Sequence, residues 1–322
     1  MNKKVVILHN KIFDHSNPDE IDVLHQVDLV SDAYKELGFE PLSVELGLNP
    51  FDDILKIKDI NPLFVFNLIE SVFDKGELLY IGPAIMNAMH IPFTGNPLDA
   101  LFVTTNKVLA KKTMRNHQIA TPEFFEVYET GKLSKGKRYI VKPIWEDGSV
   151  GLDEDSVFTV PEKEKIEKIK RLSQSHFFIE EFIEGREFNM SVLGGKEKVN
   201  VLPPAEMIFK DFPDGKPKML GYKAKWDESS VEYKNTVRSF ETVDATSALY
   251  TALKEISLKC WTTFNLKGYA RVDFRVDDNG IPDVIEINGN PCISPDSGFI
   301  AAAHHAGYDN KTVIKRISEE LN

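Results

Sequence analysis

The strongest constraint on the fold is a pattern near the C-terminus, where two short runs alternate polar and apolar residues. Residues 269–276 (YARVDFRV) and 282–288 (PDVIEIN) flank the sequence DDNGI. Alternation over this length predicts β-strands, and an Asn-Gly step predicts a tight reversal between them. The two runs therefore predict an antiparallel hairpin.

The two faces of this hairpin are expected to differ in character, because side chains alternate across a strand. One face carries the apolar residues Ala270, Val272, Phe274, Ile285 and Ile287. The other face carries Arg271, Asp273, Glu286 and Asn288. We expect the apolar face to be buried and the polar face to remain open for chemistry.

Asp273, Glu286 and Asn288 supply the oxygen donors of a candidate metal site. Carboxylate and amide oxygens are hard ligands, which suit Mg²⁺ better than zinc. Magnesium is usually bound by a few carboxylates together with substrate phosphates, so the pattern predicts a phosphate-bearing substrate. The alternative is a half-exposed hairpin with an ordinary solvated face.

Composition limits the class of protein. The chain has 322 residues, 42% of them hydrophobic, which suits one large domain or two to three small ones. A net charge of -11 argues against general nucleic-acid binding, because phosphate backbones are bound by clustered Lys and Arg. Two cysteines, Cys260 and Cys292, provide no disulfide framework or zinc spacing and fit a reducing cytoplasm. No apolar run reaches the length of a signal-peptide core or a membrane span, so we expect a cytoplasmic protein without a membrane partner.

Residues 1 to about 100 alternate strand and helix patterns in the way that builds a parallel sheet. Strands are predicted over residues 4–9, 41–46 and 63–68, and helices over 21–37 and 77–89. The next section is predicted to contain helix 106–117, strands 124–128 and 138–143, helix 161–174 and strand 176–183. Strands then dominate from residue 187 to a helix over 244–264. Residues 210–240 are polar and contain several Gly and Pro, which predicts a mobile loop.

The phosphates of the expected substrate need a binding loop, but the chain contains neither G-x-x-x-x-G-K-[ST] nor G-x-G-x-x-G. The best substitute is residues 142–151 (KPIWEDGSVG). Gly148 and Gly151 let the backbone approach an anion closely, and Lys142 supplies a positive charge from the preceding strand. The alternative is an ordinary hairpin turn.

Acidic residues interrupt a strongly apolar strand at residues 177–184 (FFIEEFIE). A partly buried carboxylate needs a hydrogen-bond donor, and an adenine amino group or ribose hydroxyls would serve. The alternative is a strand end with Glu181 and Glu184 in water.

Taken together, these segments resemble the ATP-grasp superfamily and, within it, the D-alanine:D-alanine ligases. The resemblance covers most of the chain and is strongest over residues 107–297. It implies an α/β chain with the ATP-grasp fold, in which an N-terminal parallel-sheet (Rossmann-like) domain precedes two α+β subdomains that clamp ATP. The implied boundaries are residues 1–103, 104–186 and 187–322, with a mobile lid near residues 210–240.

The resemblance also implies roles for particular residues. Lys107 and Lys142 are similar to the two phosphate-binding lysines, and residues 146–151, with Ser149 as a catalytic residue, are similar to the flap loop over the phosphates. Glu180 would meet the adenine amino group, Glu181, Phe182 and Ile183 the ring edge, and Glu187 the ribose. Lys225 in the lid would reach phosphate and act in catalysis. Arg271 matches the catalytic arginine, and Asp273, Glu286 and Asn288 match the magnesium ligands.

The segments expected to bind the amino-acid substrates differ from those of the family. Ser297 falls where the family places a serine that contacts the acceptor carboxylate, but Cys292 stands where a glycine helps to form the oxyanion site. Residues 13–20 replace the usual glycine-rich segment, and residues 66–71, with the candidate substrate-binding residue Glu70, replace another familiar stretch. In the flap loop, Asp147 and Gly148 differ from the expected glycine and serine.

The resemblance implies an ATP-dependent carboxylate-amine ligase that forms a peptide or amide bond through an acyl phosphate, with ATP and two Mg²⁺ ions as cofactors. Its partners would be amino acids or short peptides, with no nucleic acid, and a homodimer is one oligomeric state left open. A strict D-alanine:D-alanine ligase and an ATP-grasp phosphotransferase acting on a non-carboxylate acceptor are the alternatives. A catalytically silent nucleotide-binding module is disfavoured, because such a module has no chemical need of the candidate metal ligands and Arg271.

Overall fold

The structure, a computed structural model, describes residues 2–14, 16–146, 148–149, 151–213 and 215–322. The described chain begins with a three-stranded parallel sheet in the order β2-β1-β3. Its strands and the helices around them are β1 (Lys4–Asn10), α1 (Pro18–Ile21), α2 (Val23–Glu36), β2 (Glu40–Leu46), α3 (Pro50–Ile60), β3 (Val65–Leu68) and α4 (Ile81–Ala88). Because β1 is the central strand, its apolar side chains are buried on both faces, as is usual for a parallel sheet.

A four-stranded antiparallel sheet follows, in the order β4-β7-β5-β6. Two helices, α5 (Leu98–Thr105) and α6 (Lys107–Asn116), lead into it. The remaining elements are β4 (Phe124–Glu126), β5 (Arg138–Pro143), β6 (Val157–Thr159), α7 (Lys163–Ile169) and β7 (Phe177–Glu181). Asn106 begins α6 by accepting a hydrogen bond from the Leu109 amide, which sets the helix that carries Lys107.

The third sheet is antiparallel and has six strands. Its main order is β11-β10-β8-β12-β13, and β9 pairs with β8. The elements are β8 (Arg186–Leu193), β9 (Asn200–Val201), β10 (Ala205–Phe209), α8 (Tyr222–Trp226), α9 (Val231–Asn235), β11 (Thr236–Ser239), α10 (Ala248–Thr263), β12 (Tyr269–Val276), β13 (Pro282–Asn288), α11 (Gly298–His305) and α12 (Asn310–Ile317). A buried cluster that includes Leu253, Cys260 and Trp261 of α10 covers the apolar face of β12.

The predicted strands and most predicted helices are confirmed, with shifted ends. The helix predicted over 161–174 is shorter, and the helix predicted over 77–89 consists of a short 3₁₀ turn followed by α4. Helices α3, α5 and α12 were not predicted. Residues 210–240, predicted as a mobile loop, are not a loop throughout, since this segment contains α8, α9 and β11; its mobility stays a prediction. Polar composition concealed these elements, because they bury few side chains of their own.

Each of the three predicted domains, residues 1–103, 104–186 and 187–322, contains one of the three sheets. The one deviation is β8, which starts at Arg186, one residue before the predicted boundary at 187. The division into domains stays a prediction. Within the described ranges, no helix has both the length and the apolar character needed to cross a membrane.

Candidate active site

The hairpin formed by β12 and β13 has the predicted polar face. Arg271 lies opposite Asn288, and Asp273 lies opposite Glu286. Arg271 donates two hydrogen bonds of 2.7 Å, one to each carboxylate oxygen of Asp273. Asn189, on the neighbouring strand β8, donates a further bond of 2.8 Å to Asp273. The predicted arginine and the predicted metal ligands are thus brought together, with Asp273 held from two strands.

A β-bulge corrects one detail of the predicted hairpin. The register shifts beyond Asp273, so that Phe274 pairs with Val284 and Ile285 is the additional residue of β13. Val284 is fully buried, whereas Ile285 leaves the core and lines the cavity beside Glu286. The prediction that Ile285 faces the core was therefore wrong, because a bulge breaks the two-residue period of the strand.

The first residue of α6, Lys107, reaches the hairpin. Its ammonium nitrogen lies 3.3 Å from a carboxylate oxygen of Glu286 and donates a 2.7 Å hydrogen bond to the Glu146 carbonyl. Lys107 is 4% exposed, so this charge is almost wholly removed from water. The residue therefore ties α6, the start of the flap loop and the metal-ligand hairpin together.

A second buried group of charges centres on Glu180 in β7. One of its carboxylate oxygens pairs with Lys142 in β5, and the other lies 2.5 Å from the Lys111 ammonium. Burial by itself raises the pKa of Glu180, but the two ammonium groups outweigh burial and lower this pKa below its usual range. Burial also lowers the pKa of Lys111, although Glu180 opposes that shift. Glu180 therefore carries a negative charge between two lysines, and its predicted contact with adenine stays a prediction.

Lys111 was not predicted as a site residue, although its spacing from Lys107 could have indicated it. It follows Lys107 by one helical turn, and residues four apart share a face of a helix. Its ammonium also donates to Thr121, whose hydroxyl donates to the Val284 carbonyl in β13. Lys111 thus connects the charged group around Glu180 to the hairpin.

One cavity gathers most of the residues predicted to bind the nucleotide. Its predicted lining residues are Lys142, Ser149, Glu180, Glu181, Phe182, Ile183, Glu187, Lys225, Asp273 and Glu286. The other lining residues, which had no predicted role in the site, are Ile140, Leu152, Met219, Leu220, Arg275 and Ile285. Several of the missed residues are apolar, as expected for walls that contact a flat aromatic ring.

Arg275 is a charged residue that the sequence analysis missed. Its guanidinium lies 3.1 Å from a Glu187 carboxylate oxygen and donates a 2.9 Å hydrogen bond to the Ile183 carbonyl. Arg275 thereby supports two residues of the predicted adenosine site. The two-residue period that placed Arg271 and Asp273 on one face also reaches Arg275, so the same pattern could have identified it.

The flap loop and the lid contact each other. Ser149 donates a 2.7 Å hydrogen bond to the Leu220 carbonyl, and the Trp226 indole donates to the Gly148 carbonyl at 3.1 Å. Asp147 and Val150 of the flap lie outside the described residues. The lid also reaches the N-terminal sheet region, because the Tyr222 hydroxyl donates a 3.0 Å bond to Asp19. These bonds close one side of the site.

A larger cleft, of about 630 Å³, lies beside the nucleotide cavity. Its lining includes the predicted residues Glu70, Lys225, Arg271, Asn288, Cys292 and Ser297. Ser297 is the N-cap of α11 and accepts a hydrogen bond from the Ile300 amide. Lys225 lines both cavities, and burial followed by the nearby Arg271 charge lowers its pKa.

Cys292 is held by contacts that the sequence could not indicate. Its thiol donates to an Asp22 carboxylate oxygen at 3.0 Å and lies 3.1 Å from the Ser294 hydroxyl. Burial, then the nearby Glu70 and Asp22 carboxylates, raises the pKa of this thiol well above its usual value. The Ile293 amide donates to Gln26 and the Ser294 amide donates to the Cys292 sulfur, so both amides are already engaged.

Glu70 faces the same end of the cleft. Gln26 donates a 3.0 Å hydrogen bond to its carboxylate. Burial raises the pKa of Glu70 to about 7, and the neighbouring charges of Asp22 and Asp19 contribute in the same direction. The carboxyl groups of Asp19, Asp22 and Glu70 therefore lie near one another in the cleft, whose lining also includes Arg271.

The donor set on the hairpin fits a magnesium ion. Asp273 and Glu286 provide two carboxylates at facing positions, and Asn288 provides an amide oxygen on the same face. Each carboxylate has a cationic neighbour, Arg271 or Lys107, within 3.3 Å. In the described part of the chain, no three side chains of the His, Cys, Asp and Glu types are grouped as a metal site.

The chain has the ATP-grasp fold, as comparison with solved structures confirms. The chain aligns over 98% of its length, and over 96% of the other chain, with a D-alanine–D-alanine ligase from Bacillus anthracis complexed with ATP, at a TM-score of 0.71 and 20% identity. It aligns with D-alanyl-alanine synthetase A from Vibrio cholerae over 98% of each chain, at a TM-score of 0.74 and 15% identity.

Sequence relatives point to one family within this class. A D-alanine–D-alanine ligase from Aquifex aeolicus is 27% identical over 292 residues, which cover 89% of this chain and 91% of the relative. An uncharacterized protein, y4sG, from Sinorhizobium fredii is 29% identical over 301 residues, which cover 90% and 85%. The family model described as D-ala D-ala ligase C-terminus matches residues 107–319. The chain therefore belongs to the D-ala D-ala ligase family and is an ATP-dependent ligase that forms C–N bonds, as the sequence analysis predicted.

Proposed function

We propose that the enzyme joins the carboxylate of one small amino acid to the amine of a second amino acid, using ATP and passing through an acyl phosphate. We further propose that its amino-acid site is altered, so that strict use of D-alanine for both substrates is not expected. The products are a dipeptide or related amide, ADP and phosphate.

The observation that carries this proposal is the position of the hairpin between two cavities. Asp273 and Glu286 line the cavity that gathers the predicted nucleotide-binding residues, whereas Arg271 and Asn288 line the larger cleft. A phosphate held in the first cavity and a carboxylate held in the second would therefore meet at one polar face. Phosphoryl transfer depends mainly on such positioning and on charge neutralisation.

The chain's own cations would act on the phosphates of ATP. Lys142 lines the nucleotide cavity, Lys107 lies beside Glu286, and Lys225 lines both cavities. Glu180 pairs with Lys142 from the protein side, and Lys111 pairs with the other carboxylate oxygen of Glu180. Mg²⁺ held by Asp273, Glu286 and Asn288 would supply further neutralisation of phosphate charge.

In the first step, an oxygen of the donor carboxylate attacks the γ-phosphorus, the bond from this phosphorus to the bridging oxygen breaks, and ADP leaves. In the second step, the acceptor nitrogen attacks the acyl carbon and loses a proton, and the C–O bond to phosphate breaks. Arg271 lies on the face where the oxyanion would form, and one such donor contributes roughly 3 to 4 kcal/mol in comparable sites.

The altered amino-acid site is supported by the contacts of Cys292. Its thiol occupies space that a glycine would leave open, and it is bonded to Asp22 across the cleft. The carboxyl groups of Asp22, Asp19 and Glu70 are hydrogen-bond acceptors that suit the ammonium group of a donor amino acid. This end of the cleft, narrowed by Cys292 and lined by carboxyl groups, favours a small donor with a free amino group.

The test is an ADP-release screen over D- and L-amino acids, alone and in pairs, with the products identified by mass. We expect ADP release to accompany amide formation, and each active combination, of one amino acid or of two, to give an amide with loss of one water. A screen in which only D-alanine with D-alanine reacts would contradict the altered site while leaving the ligase intact. ADP release accompanied by a phosphorylated acceptor and no amide would instead establish the phosphotransferase alternative.

A further inference from the structure

Arg238 is a charged residue in the larger cleft that neither the family resemblance nor the predicted site includes. It lies in β11, opposite Met207 of β10, and its guanidinium reaches the loop before α11. Nη1 donates a 3.3 Å hydrogen bond to the Asp296 carbonyl. A side chain added at Gly298, the first residue of α11, would come within 3.7 Å of Nη2. The guanidinium therefore sits against the N-terminal end of this helix.

Within the described ranges, the positive charge of Arg238 has no close ion-pair partner. Among the described residues, no carboxylate oxygen lies within 4.0 Å of its guanidinium nitrogens. The nearest acidic residue along the loop, Asp296, accepts a hydrogen bond from the Ser294 hydroxyl. Burial lowers the pKa of Arg238, and the charge of Arg271 lowers it further, although Asp296 opposes this shift. Arginine nevertheless stays protonated, so two like charges face one cleft.

Several features at this end of the cleft favour a bound anion. Arg238, Arg271, Lys225 and Ser297 all line it, together with the N-terminus of α11. A helix N-terminus and a planar guanidinium both bind carboxylates well, and the guanidinium can do so with two parallel bonds. Arg238 does not line the nucleotide cavity, so its anion is not a phosphate of ATP bound there.

We propose that Arg238 binds the carboxylate of the acceptor amino acid and makes the enzyme select acceptors in which this group is free. This inference rests on the proposed ligase function and adds the residue and the acceptor class. The amine of such an acceptor would extend toward Arg271 and the hairpin, while the donor ammonium occupies the acidic end near Asp22 and Glu70.

The test compares acceptor amino acids with their α-carboxamides, which retain the amine but lack the negative charge. Acceptors are taken from the mass-identified ligation products of the parent enzyme. Arg238→Gln keeps a hydrogen-bond donor without the charge, Arg238→Lys keeps the charge without the planar fork, and Arg171→Gln removes an exposed arginine outside the cleft. Initial rates give KM for acceptor, donor and ATP separately.

We expect Arg238→Gln to raise the acceptor KM by roughly 10- to 100-fold, the effect of losing hydrogen bonds to a charged group. The donor KM, the ATP KM and kcat should stay within about twofold, since the nucleotide cavity is separate from Arg238. The preference for the acid over its carboxamide should fall by the same factor as the acceptor KM rises. Arg238→Lys should retain part of this preference, and Arg171→Gln should match the parent.

Ligation with an unchanged preference in Arg238→Gln would overturn the assignment of Arg238 and leave the ligase function standing. A lower kcat, a higher ATP KM and a lower melting temperature in the same variant would also overturn the assignment. Such a combination would indicate that Arg238 only connects β11 to the loop at Asp296. If no amino acid or carboxamide gives a ligated product with the parent enzyme, the proposed function fails and the acceptor assignment fails with it.

Discussion

The guanidinium of Arg271 and the carboxylate of Asp273 form a two-bonded ion pair within β12, with both N–O distances at 2.7 Å. One residue is the predicted oxyanion donor and the other a predicted metal ligand. A charged side chain that binds two atoms at once is held in a narrow range of orientations. A residue proposed for phosphoryl transfer, Asp273, therefore orients a residue proposed for amide formation, Arg271, within one strand.

Glu286→Gln should fold normally and lose ATP turnover. The amide keeps the shape of the side chain, but it removes a negative charge from the candidate metal site and leaves Lys107 without this carboxylate at 3.3 Å. We expect kcat to fall by at least about 100-fold, the scale of losing one main electrostatic group in an active site. Asp278→Asn, in the exposed turn of the same hairpin, is the control. Parent-like turnover with an unchanged magnesium requirement in Glu286→Gln would refute the metal assignment.

Glu180→Gln should destabilise the protein more than Lys111→Met does. Removing the carboxylate leaves the buried ammonium groups of Lys111 and Lys142 without their shared partner, which typically costs about 3 to 5 kcal/mol. Removing Lys111 leaves Glu180 still paired with Lys142. Adding Lys111→Met to Glu180→Gln should therefore recover part of the lost stability.

Denaturant unfolding of the two single variants and the double variant measures this coupling. Lys112→Met provides the matched control, since Lys112 is the exposed neighbour of Lys111 on the same helix. Strictly additive losses in the double variant would mean that these charges do not act as a group.

Ser297 is expected to have two separable roles. Its hydroxyl caps α11, so Ser297→Ala should lower the free energy of unfolding by about 1 kcal/mol as well as raise the acceptor KM. Ser297→Asp keeps a capping oxygen but places a negative charge where the acceptor carboxylate is proposed. This variant should melt close to the parent and show the larger rise in acceptor KM. Equal acceptor KM values in the parent and Ser297→Asp would remove the acceptor from this position.

Stability should fall as pH rises from about 4.5 to about 7 because of Glu70. The pKa of Glu70 is raised by burial from 4.5 to about 7, so over this range the unfolded chain has released a proton that the folded protein still holds. The loss is on the order of 3 kcal/mol and is complete above the folded-state pKa. The difference in unfolding free energy between the parent and Glu70→Gln, measured against pH, isolates this contribution. Glu255→Gln, at an exposed position of α10, should show no such trend, and a flat difference for Glu70→Gln would contradict the raised pKa.

Local pattern was enough to predict much of the site. The two-residue alternation of β12 and β13 predicted that Arg271 and Asp273 share a face, and the structure pairs them with Asn288 and Glu286. The acidic residues in the apolar strand β7 likewise predicted a partly buried carboxylate, and Glu180 is 1% exposed. Such predictions succeed because strand geometry relates neighbouring residues by a fixed rule that needs no knowledge of the rest of the chain.

Contacts between distant segments depended on the tertiary structure. The bulge at Ile285, the bond from Cys292 to Asp22, the approach of Lys111 to Glu180 and the position of Arg238 beside Gly298 each arise where separate elements pack together. Cys292 and Asp22 lie 270 residues apart, and no local period relates them. The sequence by itself therefore determined which side chains each strand presents to the site, whereas packing of the sheets and helices decided which charges meet, because burial and distance set their energies.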